Sequence, residues 1–178
     1  MTSAGDSSGG KPYRQGVGIV LVNGDGKVFV AQRSDTTDPS WQMPQGGIDQ
    51  GEEPLHAALR ELEEETGTNK AELIAGTEEW LRYDLPPDLA SRVWKGKYRG
   101  QEQKWYLMRF TGSDADINIH TDHPEFSAWK WADFHSLPDM VVGFKKDLYR
   151  QIVDVFAEKV AQLERQHPLP QRNQTPRR

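Results

Sequence analysis

Three glutamates near the middle of this chain have the residue type and the spacing that a divalent-cation site requires. Glu61, Glu64 and Glu65 stand three and four residues apart, so on a helix their carboxylates share one face. Like charges at those spacings destabilise a helix by about 0.2–0.5 kcal/mol per pair. A divalent cation reverses the sign of that interaction, because hard cations such as Mg²⁺ prefer oxygen ligands. Charge runs are also typical of solvated surfaces, so the spacing alone leaves both interpretations open.

The flanking residues predict the helix that would position these carboxylates. Pro54 suits a first helical position, where its missing N–H costs nothing. Gly67 can end the helix, because glycine adopts left-handed geometry without steric cost. The residues between them predict one apolar stripe at helical spacing, which consists of Leu55, Ala58, Leu59 and Leu62.

The order of residues around this helix is more specific than their spacing. Residues 46–68 read GGIDQGEEPLHAALRELEEETGT. Eight of these positions match the Nudix signature, namely Gly46, Glu52, Arg60, Glu61, Leu62, Glu64, Glu65 and Gly67. The chain therefore resembles the Nudix hydrolases, although Thr68 stands where that signature usually has a large apolar residue.

The Nudix resemblance implies a metal site and its support. The implied metal ligands are Glu61, Glu64, Glu65 and a backbone carbonyl near Gly46. Glu61 and Glu64 would thereby be catalytic, and the expected cofactor is Mg²⁺, with Mn²⁺ or another divalent cation as alternatives. Arg60 and Glu52 are expected to form a structural ion pair that fixes the loop against the helix.

Other segments, distributed over residues 12–160, resemble a narrower group. They are YR at 13–14, WQMPQGG at 41–47, WLRY at 80–83, GQEQKW at 100–105, PEF at 124–126 with Trp129 and Trp131, and VGFKKD at 142–147. Their order and spacing are similar to those of the bacterial RNA pyrophosphohydrolases, a group that overlaps with diadenosine polyphosphate hydrolases. In that group the glutamate of the PEF segment completes the metal site and is a candidate general base, so the resemblance assigns both roles to Glu125. A carboxylate within hydrogen-bond reach of the attacking water can accept its proton.

A phosphate chain also requires cations, and guanidinium groups match phosphate oxygens well. The candidates are Arg14, Arg33, Arg82, Lys104 and Lys145, of which we expect two to be merely solubilising. Arg33 and Lys145 are the first choices, and Tyr83 and Gln103 are expected as lesser polar contacts. The resemblance favours stacking of a base on Phe144 beside a wall formed by Val142, although Phe144 could instead simply pack the helix start.

Composition limits the remaining possibilities. The chain has no cysteine, which excludes disulfides, thiol catalysis and thiolate metal sites, and its net charge is −5. Its longest apolar run, at residues 17–22, is far shorter than the roughly 20 residues of a membrane helix, and residues 1–10 lack the pattern of a secretion signal. We therefore expect a cytoplasmic protein without membrane association or an obligate protein partner. One Nudix hydrolase domain is expected at 11–164, between a disordered segment at 1–10 and a flexible basic tail at 165–178.

The predicted elements alternate in a way that favours an α/β fold. Strands are expected at 16–22 and 27–33 in a hairpin, over 72–83 as one long or broken strand, and at 103–110 and 126–131. A loop is expected at 84–102, a short helical turn at 133–137, and a final helix over about 143–164, whose predicted apolar stripe includes Val155. Strands between helices imply a mixed sheet, and the Nudix-type α/β/α sandwich fits this order.

The two resemblances, together with the three helix glutamates, imply a metal-dependent hydrolase of phosphoanhydride bonds. The favoured substrate is the 5′-triphosphate end of RNA, from which pyrophosphate is released. The alternative is a dinucleoside polyphosphate hydrolase of the diadenosine tetraphosphate type. A non-catalytic nucleotide- or RNA-binding module is a third hypothesis, which the presence of all three helix glutamates argues against.

Overall fold

The computed structural model describes residues 10–122 and 124–166. The strands are β1 (Tyr13–Val22), β2 (Val28–Arg33), β3 (Gln45–Gly47), β4 (Ala71–Gly76), β5 (Leu81–Asp84), β6 (Gly100–Phe110) and β7 (Phe126–Ala132). The helices are α1 (Pro54–Thr66), α2 (Pro87–Ala90), α3 (Leu137–Met140) and α4 (Lys146–Gln166). Short 3₁₀ turns cover Asp114–Asp116, Phe134–Ser136 and Gly143–Lys145, and a tight turn that is not helical at Trp94 and Lys95 covers Val93–Gly96.

Strand β1 is central to the sheet, whose main path in the described residues is β4-β6-β1-β2-β7. It runs parallel to β6 from Tyr13 beside Gly100 to Val22 beside Arg109, and antiparallel to β2 and β3. Its run from Val17 to Val22 is buried and almost continuously apolar, as expected for a strand covered on both faces.

The two faces of the sheet carry different helices. On one face, Leu62 and Ala58 of α1 pack with Ile19 of β1. On the other face, Ile152 and Phe156 of α4 pack with residues of β1 and β6 and with α3. The predicted mixed sheet and Nudix-type α/β/α sandwich are confirmed. No helix in the described ranges has both the length and the hydropathy that crossing a bilayer requires.

Two residues predicted to lie in apolar stripes are exposed instead. Leu59 of α1 is 40% exposed because it borders an open groove beside the helix. Val155 of α4 is 50% exposed, since it lies one residue, or about 100° of helical turn, away from the buried row through Ile152 and Phe156.

The predicted loop at 84–102 contains more regular structure than its composition indicated. It includes α2 and the tight turn at Val93–Gly96, and β6 begins at Gly100 rather than at residue 103. The earlier start follows from pairing, because Tyr13 and Arg14 of β1 lie beside Gly100 and Gln101. The segment 72–83 is broken into β4 and β5, and α4 extends to Gln166. Apart from residues 10, 165 and 166, the predicted terminal segments 1–10 and 165–178 lie outside the described residues.

Gly18 in β1 provides the space for the largest side chain of the core. An ideal Cβ at this position would lie 2.4 Å from ring atoms of Trp105, which is fully buried. The Trp105 indole N–H donates to the side-chain oxygen of Gln103 at 2.9 Å. The close approach of β1 therefore positions Gln103, one of the predicted site residues.

Substitution of Gly18 by alanine should reduce stability, because the indole ring cannot move without repacking the core. We expect Gly18→Ala to lower the free energy of unfolding by about 1–3 kcal/mol, measured by urea denaturation. Gly24→Ala is the matched control, since a Cβ there has no neighbour within 4 Å. Equal stability of the two variants would contradict this account of the β1–β6 packing.

Candidate active site

The short strand β3 brings the backbone of the signature loop against the helix glutamates. An ideal Cβ on Gly46 would lie 2.0 Å from Cδ of Glu61, so any larger residue at this position would displace this carboxylate. Pairing with β1 fixes the loop, with Gly46 beside Val17. The Gly46 carbonyl oxygen lies 2.7 Å from the position that a Cβ on Gly16 would take, so glycine at 16 leaves room for this oxygen.

Arg60 clamps the same loop to α1. Its Nε and Nη2 donate to the two carboxylate oxygens of Glu52, both at 2.9 Å, and Nη2 also donates to the Gly47 carbonyl at 3.0 Å. These hydrogen bonds favour the ionised form of Glu52 and lower its pKa to about 2. The structural ion pair implied by the Nudix resemblance is present.

The remaining nitrogen of Arg60 faces the helix glutamates. Nη1 donates to Glu61 at 3.0 Å and to both oxygens of Glu64 at 3.3 Å. One guanidinium therefore partly balances several carboxylates and orients two of the predicted metal ligands.

Glu65 is the most deeply buried member of the glutamate group. Burial raises the pKa of its carboxyl well above the usual range, and a hydrogen bond with Glu125 and the charge of Glu125 raise it further. The backbone N–H of Gln45 donates to Glu65 Oε1 at 3.1 Å. The loop at β3 and the chain before β7 thus both contact this carboxylate.

Glu125 reaches the site because strand pairing positions the residue before β7. Arg33 at the end of β2 pairs with Phe126, and the Ser34 backbone N–H donates to the Glu125 carbonyl at 2.9 Å. The Glu125 side chain is exposed and contributes to a groove of about 930 Å³. Glu61, Glu64 and Glu65 line the same groove.

The donor set of this groove fits a hard divalent cation. Glu61 has a pKa raised to about 7, first because the carboxyl is buried and also because the charges of Glu64 and Glu125 oppose its ionisation. Several carboxylates that repel one another around one groove supply the oxygen ligands that Mg²⁺ and Mn²⁺ prefer. Within the described ranges, however, no three acidic or histidine side chains already converge as a complete metal cluster, and Arg60 contacts two of the carboxylates instead.

Beside the glutamates, a second group of polar side chains surrounds a buried lysine. The Lys145 ammonium donates to Gln45 Oε1 at 3.3 Å and lies 5.1 Å from the centre of the Tyr83 ring. Burial, and after it the positive charge of Arg33, lower the pKa of Lys145 to about 8. Gln103 donates to Gln45 at 2.9 Å. Three of the predicted substrate-binding residues, Tyr83, Gln103 and Lys145, are therefore close together.

Two further glutamines belong to this polar group and were missing from the predicted site. Gln45 accepts hydrogen bonds from Gln103 and Lys145, and Gln101 accepts them from Gln103 at 2.6 Å and from the Tyr83 hydroxyl at 3.3 Å. Strand alternation was the available signal for Gln101, because it lies two residues before Gln103 on the same face of β6.

Two predicted arginines and the predicted base-stacking residues lie around the polar group of Lys145. Arg14 lies against Gly47, where a Cβ would be 2.3 Å from its Nη2. Arg33 holds Asp35 through two hydrogen bonds of 2.6 and 2.8 Å. The Phe144 ring, just before the start of α4, lies 5.8 Å from the Tyr83 ring, and Val142 beside it is half-buried.

Arg82 and Lys104 lie apart from the other predicted substrate-binding residues. Strand alternation places them on the opposite sheet face from their neighbours Tyr83 and Gln103. Arg82 pairs with Glu102 at 3.2 Å. Lys104 donates to the Glu78 carbonyl and lies over the Trp80 ring.

The family of the chain follows from comparison with known proteins. Residues 12–152 match the NUDIX domain model, so the chain belongs to the NUDIX family, whose hydrolases generally use divalent cations. A protein of Roseobacter denitrificans named RNA pyrophosphohydrolase is 58% identical over 147 residues, which cover 82% of this chain and 92% of that protein. One of the same name from Rhodospirillum rubrum is 56% identical over 147 residues, covering 83% and 88%.

The fold also resembles solved structures at much lower sequence identity. The crystal structure of a C. elegans Ap4A hydrolase binary complex superposes with a TM-score of 0.59 at 22% identity, covering 82% of this chain and 98% of that one. At that identity the likeness concerns the fold alone.

The raised pKa of Glu61 predicts how the stability of the metal-free protein depends on pH. Between the ordinary carboxyl value of 4.5 and about 7, Glu61 is ionised in the unfolded chain but still protonated in the folded protein. Unfolding then releases a proton, so the free energy of unfolding should fall as pH rises through this window. Below pH 4.5 the protonation of Glu61 does not make the free energy of unfolding depend on pH, and above about pH 7 it causes no further decrease.

Urea denaturation in EDTA at several pH values between 4.5 and 8 measures this slope. Glu61→Gln should flatten it, whereas Glu63→Gln, which removes an exposed carboxylate of the same helix, should retain the wild-type profile. Identical profiles for wild type and Glu61→Gln would contradict the assigned environment of Glu61.

Proposed function

We propose that this protein is a divalent-cation-dependent Nudix hydrolase that removes pyrophosphate from the 5′-triphosphate end of RNA. The observation that carries the proposal is that Gln45 joins two groups: it bonds to Glu65 in a groove that Glu61, Glu64 and Glu125 also line, and to Lys145 in a buried cationic and aromatic group. The relatives named RNA pyrophosphohydrolase, which cover most of the chain, support the choice of substrate.

The glutamates of the groove would hold the cation, which we propose to be Mg²⁺, with Mn²⁺ as an alternative. The proposed ligands are Glu61, Glu64, Glu65 and Glu125, with the Gly46 carbonyl nearby. A bound divalent cation supplies positive charge to the phosphate oxygens and makes a coordinated water more acidic. Arg60 orients Glu61 and Glu64, and therefore helps to preserve the ligand geometry.

Glu125 is the proposed general base. It is exposed to the groove, so its carboxylate can reach a water molecule that attacks phosphorus. The contact of Glu125 with Glu65 keeps its carboxylate beside the proposed cation ligands, and a carboxylate within hydrogen-bond reach of the attacking water can accept its proton.

The cations of the second group would neutralise the phosphate chain. Lys145 is buried beside Glu65 and Arg33, and Arg14 lies against Gly47 of the signature loop. A phosphate that reaches these groups would lie between them and the glutamates. Its negative charge would also relieve the repulsion between Lys145 and Arg33 and restore the lysine pKa upward.

The first bases of the RNA would contact the side chains at the edge of this cationic and aromatic group. Phe144 offers an aromatic face next to Tyr83, and base–aromatic stacking contributes about 1–3 kcal/mol per base. Val142 would line the side of the same space. Because transcripts with new 5′ ends occur in the bacterial cytoplasm, we propose that the enzyme acts there.

A dinucleoside polyphosphate hydrolase is the alternative function, since it would use the same glutamates and the same phosphate-binding cations. The fold shared with the C. elegans Ap4A hydrolase is compatible with it. The substrates of the two functions differ beyond the phosphate chain, because an RNA continues as a strand and a dinucleotide ends in a second base.

Parallel kinetics separate these functions. With Mg²⁺, we expect kcat/KM on triphosphorylated RNA to exceed that on diadenosine tetraphosphate by at least about tenfold, a difference of about 1.4 kcal/mol. The product released from the RNA should be pyrophosphate. A preference for diadenosine tetraphosphate would overturn the RNA assignment while leaving the hydrolase assignment intact.

A paired substitution ties the activity to the groove. Glu64→Gln should lower kcat on either substrate by at least about 100-fold, because a charged ligand is lost while its shape is kept. Glu158→Gln, which removes an exposed carboxylate of α4 that does not line the groove, should leave kcat near the wild-type value. Similar losses in both variants would contradict the proposed ligand set.

A further inference from the structure

One surface segment concentrates positive charge in a protein that is acidic overall. Residues 92–99, named the basic segment, read RVWKGKYR and contain four cationic and no acidic side chains, whereas the whole chain has a net charge of −5. None of these cations belongs to the predicted site, so the glutamate groove and the polar group around Lys145 do not account for this local charge.

The backbone of the basic segment has an unusual conformation. Trp94 (φ 51°, ψ 37°) and Lys95 (φ 59°, ψ 25°) are consecutive left-handed residues with side chains, and they are the non-glycine residues with positive φ in the described chain. This conformation is unfavourable for residues that carry a Cβ, and such strain persists where the surrounding structure fixes it, often at functional sites.

Several contacts hold the segment in this conformation. Both backbone polar groups of Arg99 are hydrogen-bonded. Its N–H donates to the Pro12 carbonyl at 3.0 Å, and its carbonyl accepts from the Leu85 N–H at 2.8 Å. The Trp94 and Tyr98 rings meet edge to face at 6.0 Å. The segment is therefore a fixed surface feature beside the start of β1.

The same tryptophan connects the segment to the proposed active site. The Arg14 guanidinium lies over the Trp94 ring at 5.0 Å, and Arg14 in turn lies against Gly47 of the signature loop. Gly47 accepts a hydrogen bond from Arg60. A strand that leaves the site past Arg14 would thus meet the basic segment directly.

Two cations of the segment have no counter-charge in the described residues. Lys95 and Lys97 are exposed, and neither side chain has an ion pair or an aromatic contact within that part of the protein. Arg92, in contrast, lies 3.9 Å from Asp88. Unpaired and fixed cations at the exit of a phosphate-binding site match the backbone of a nucleic acid, whose binding depends on neutralised phosphates.

We propose that the basic segment binds the RNA strand downstream of its 5′ end, with Lys95 and Lys97 contacting backbone phosphates. This inference rests on the proposed function, because it requires a substrate that continues beyond the first nucleotides. It adds a strand-binding surface outside the catalytic groove. Trp94 fixes the surface relative to Arg14, and the two lysines supply its affinity.

The test compares a long and a short substrate in the double variant Lys95→Gln/Lys97→Gln. The substrates are a triphosphorylated RNA of twelve nucleotides and a triphosphorylated dinucleotide, which ends before the segment. Each phosphate contact contributes about 0.7 to the slope of log affinity against log salt for single strands. Loss of two contacts should therefore reduce the salt slope of kcat/KM on the long RNA by about 1.4.

Raising the salt concentration from 50 to 200 mM should therefore lower kcat/KM on the long RNA by a factor about sevenfold larger for wild type than for the double variant. On the dinucleotide the two proteins should behave alike. The control variant Lys27→Gln/Lys159→Gln removes the same charge from exposed positions after β1 and on α4, and it should keep the wild-type slope on both substrates.

Three results would overturn the proposal. An unchanged salt slope on the long RNA would show that the lysines make no phosphate contact, and an equal change on the dinucleotide would place their effect at the terminal phosphates. The same change in the control variant would indicate a general effect of net charge. If wild type cleaved neither triphosphorylated substrate, the proposed function itself would fail, which distinguishes the two failures.

Discussion

Mutual repulsion of carboxylates is the constraint on which this structure depends. Glu61 and Glu65 are held on one face of α1, where burial and neighbouring charges oppose their ionisation. Like charges at this helical spacing destabilise the helix. The surrounding structure holds it in place: Arg60 balances part of the charge, and the glycine at 46 lets the loop backbone approach.

The sheet explains why groups distant in the sequence meet at this face. Strand β1 pairs with β3 and β6 and therefore places the signature loop beside Gln101 and Gln103. Pairing of β2 with β7 delivers Glu125 next to Ser34. The glutamate groove and the buried polar group around Lys145 are thus joined by Gln45, which is bonded to Glu65 on one side and to Lys145 on the other.

Residues close together in the sequence were sufficient to predict helix α1 and the ion pair that supports it. Pro54, Gly67 and the signature order located α1, which runs from Pro54 to Thr66, and the pair between Arg60 and Glu52 is present. Thr68, which departs from the signature, is buried where the helix ends, so the departure leaves the glutamates unaffected.

Features that depend on tertiary pairing were not predictable in the same way. The exposure of Leu59 results from the groove, which exists only when distant loops meet the helix. The placement of Arg82 and Tyr83 on opposite faces could be predicted from alternation in the strand expected over 72–83, but which face carries the site depends on tertiary pairing. The burial of Lys145 depends on the packing of the α4 start against Tyr83, which no local pattern reports.

The most direct test of the central claim is a crystal structure of the protein soaked with Mn²⁺ and measured at the manganese absorption edge. The account predicts an anomalous peak in the groove, within about 2.5 Å of oxygens from at least three of the four glutamates, with the Arg60 Nη1 contact to Glu64 displaced. A Mn²⁺ ion bound elsewhere, or a groove in which Arg60 still contacts Glu61 and Glu64 without any peak, would contradict the account.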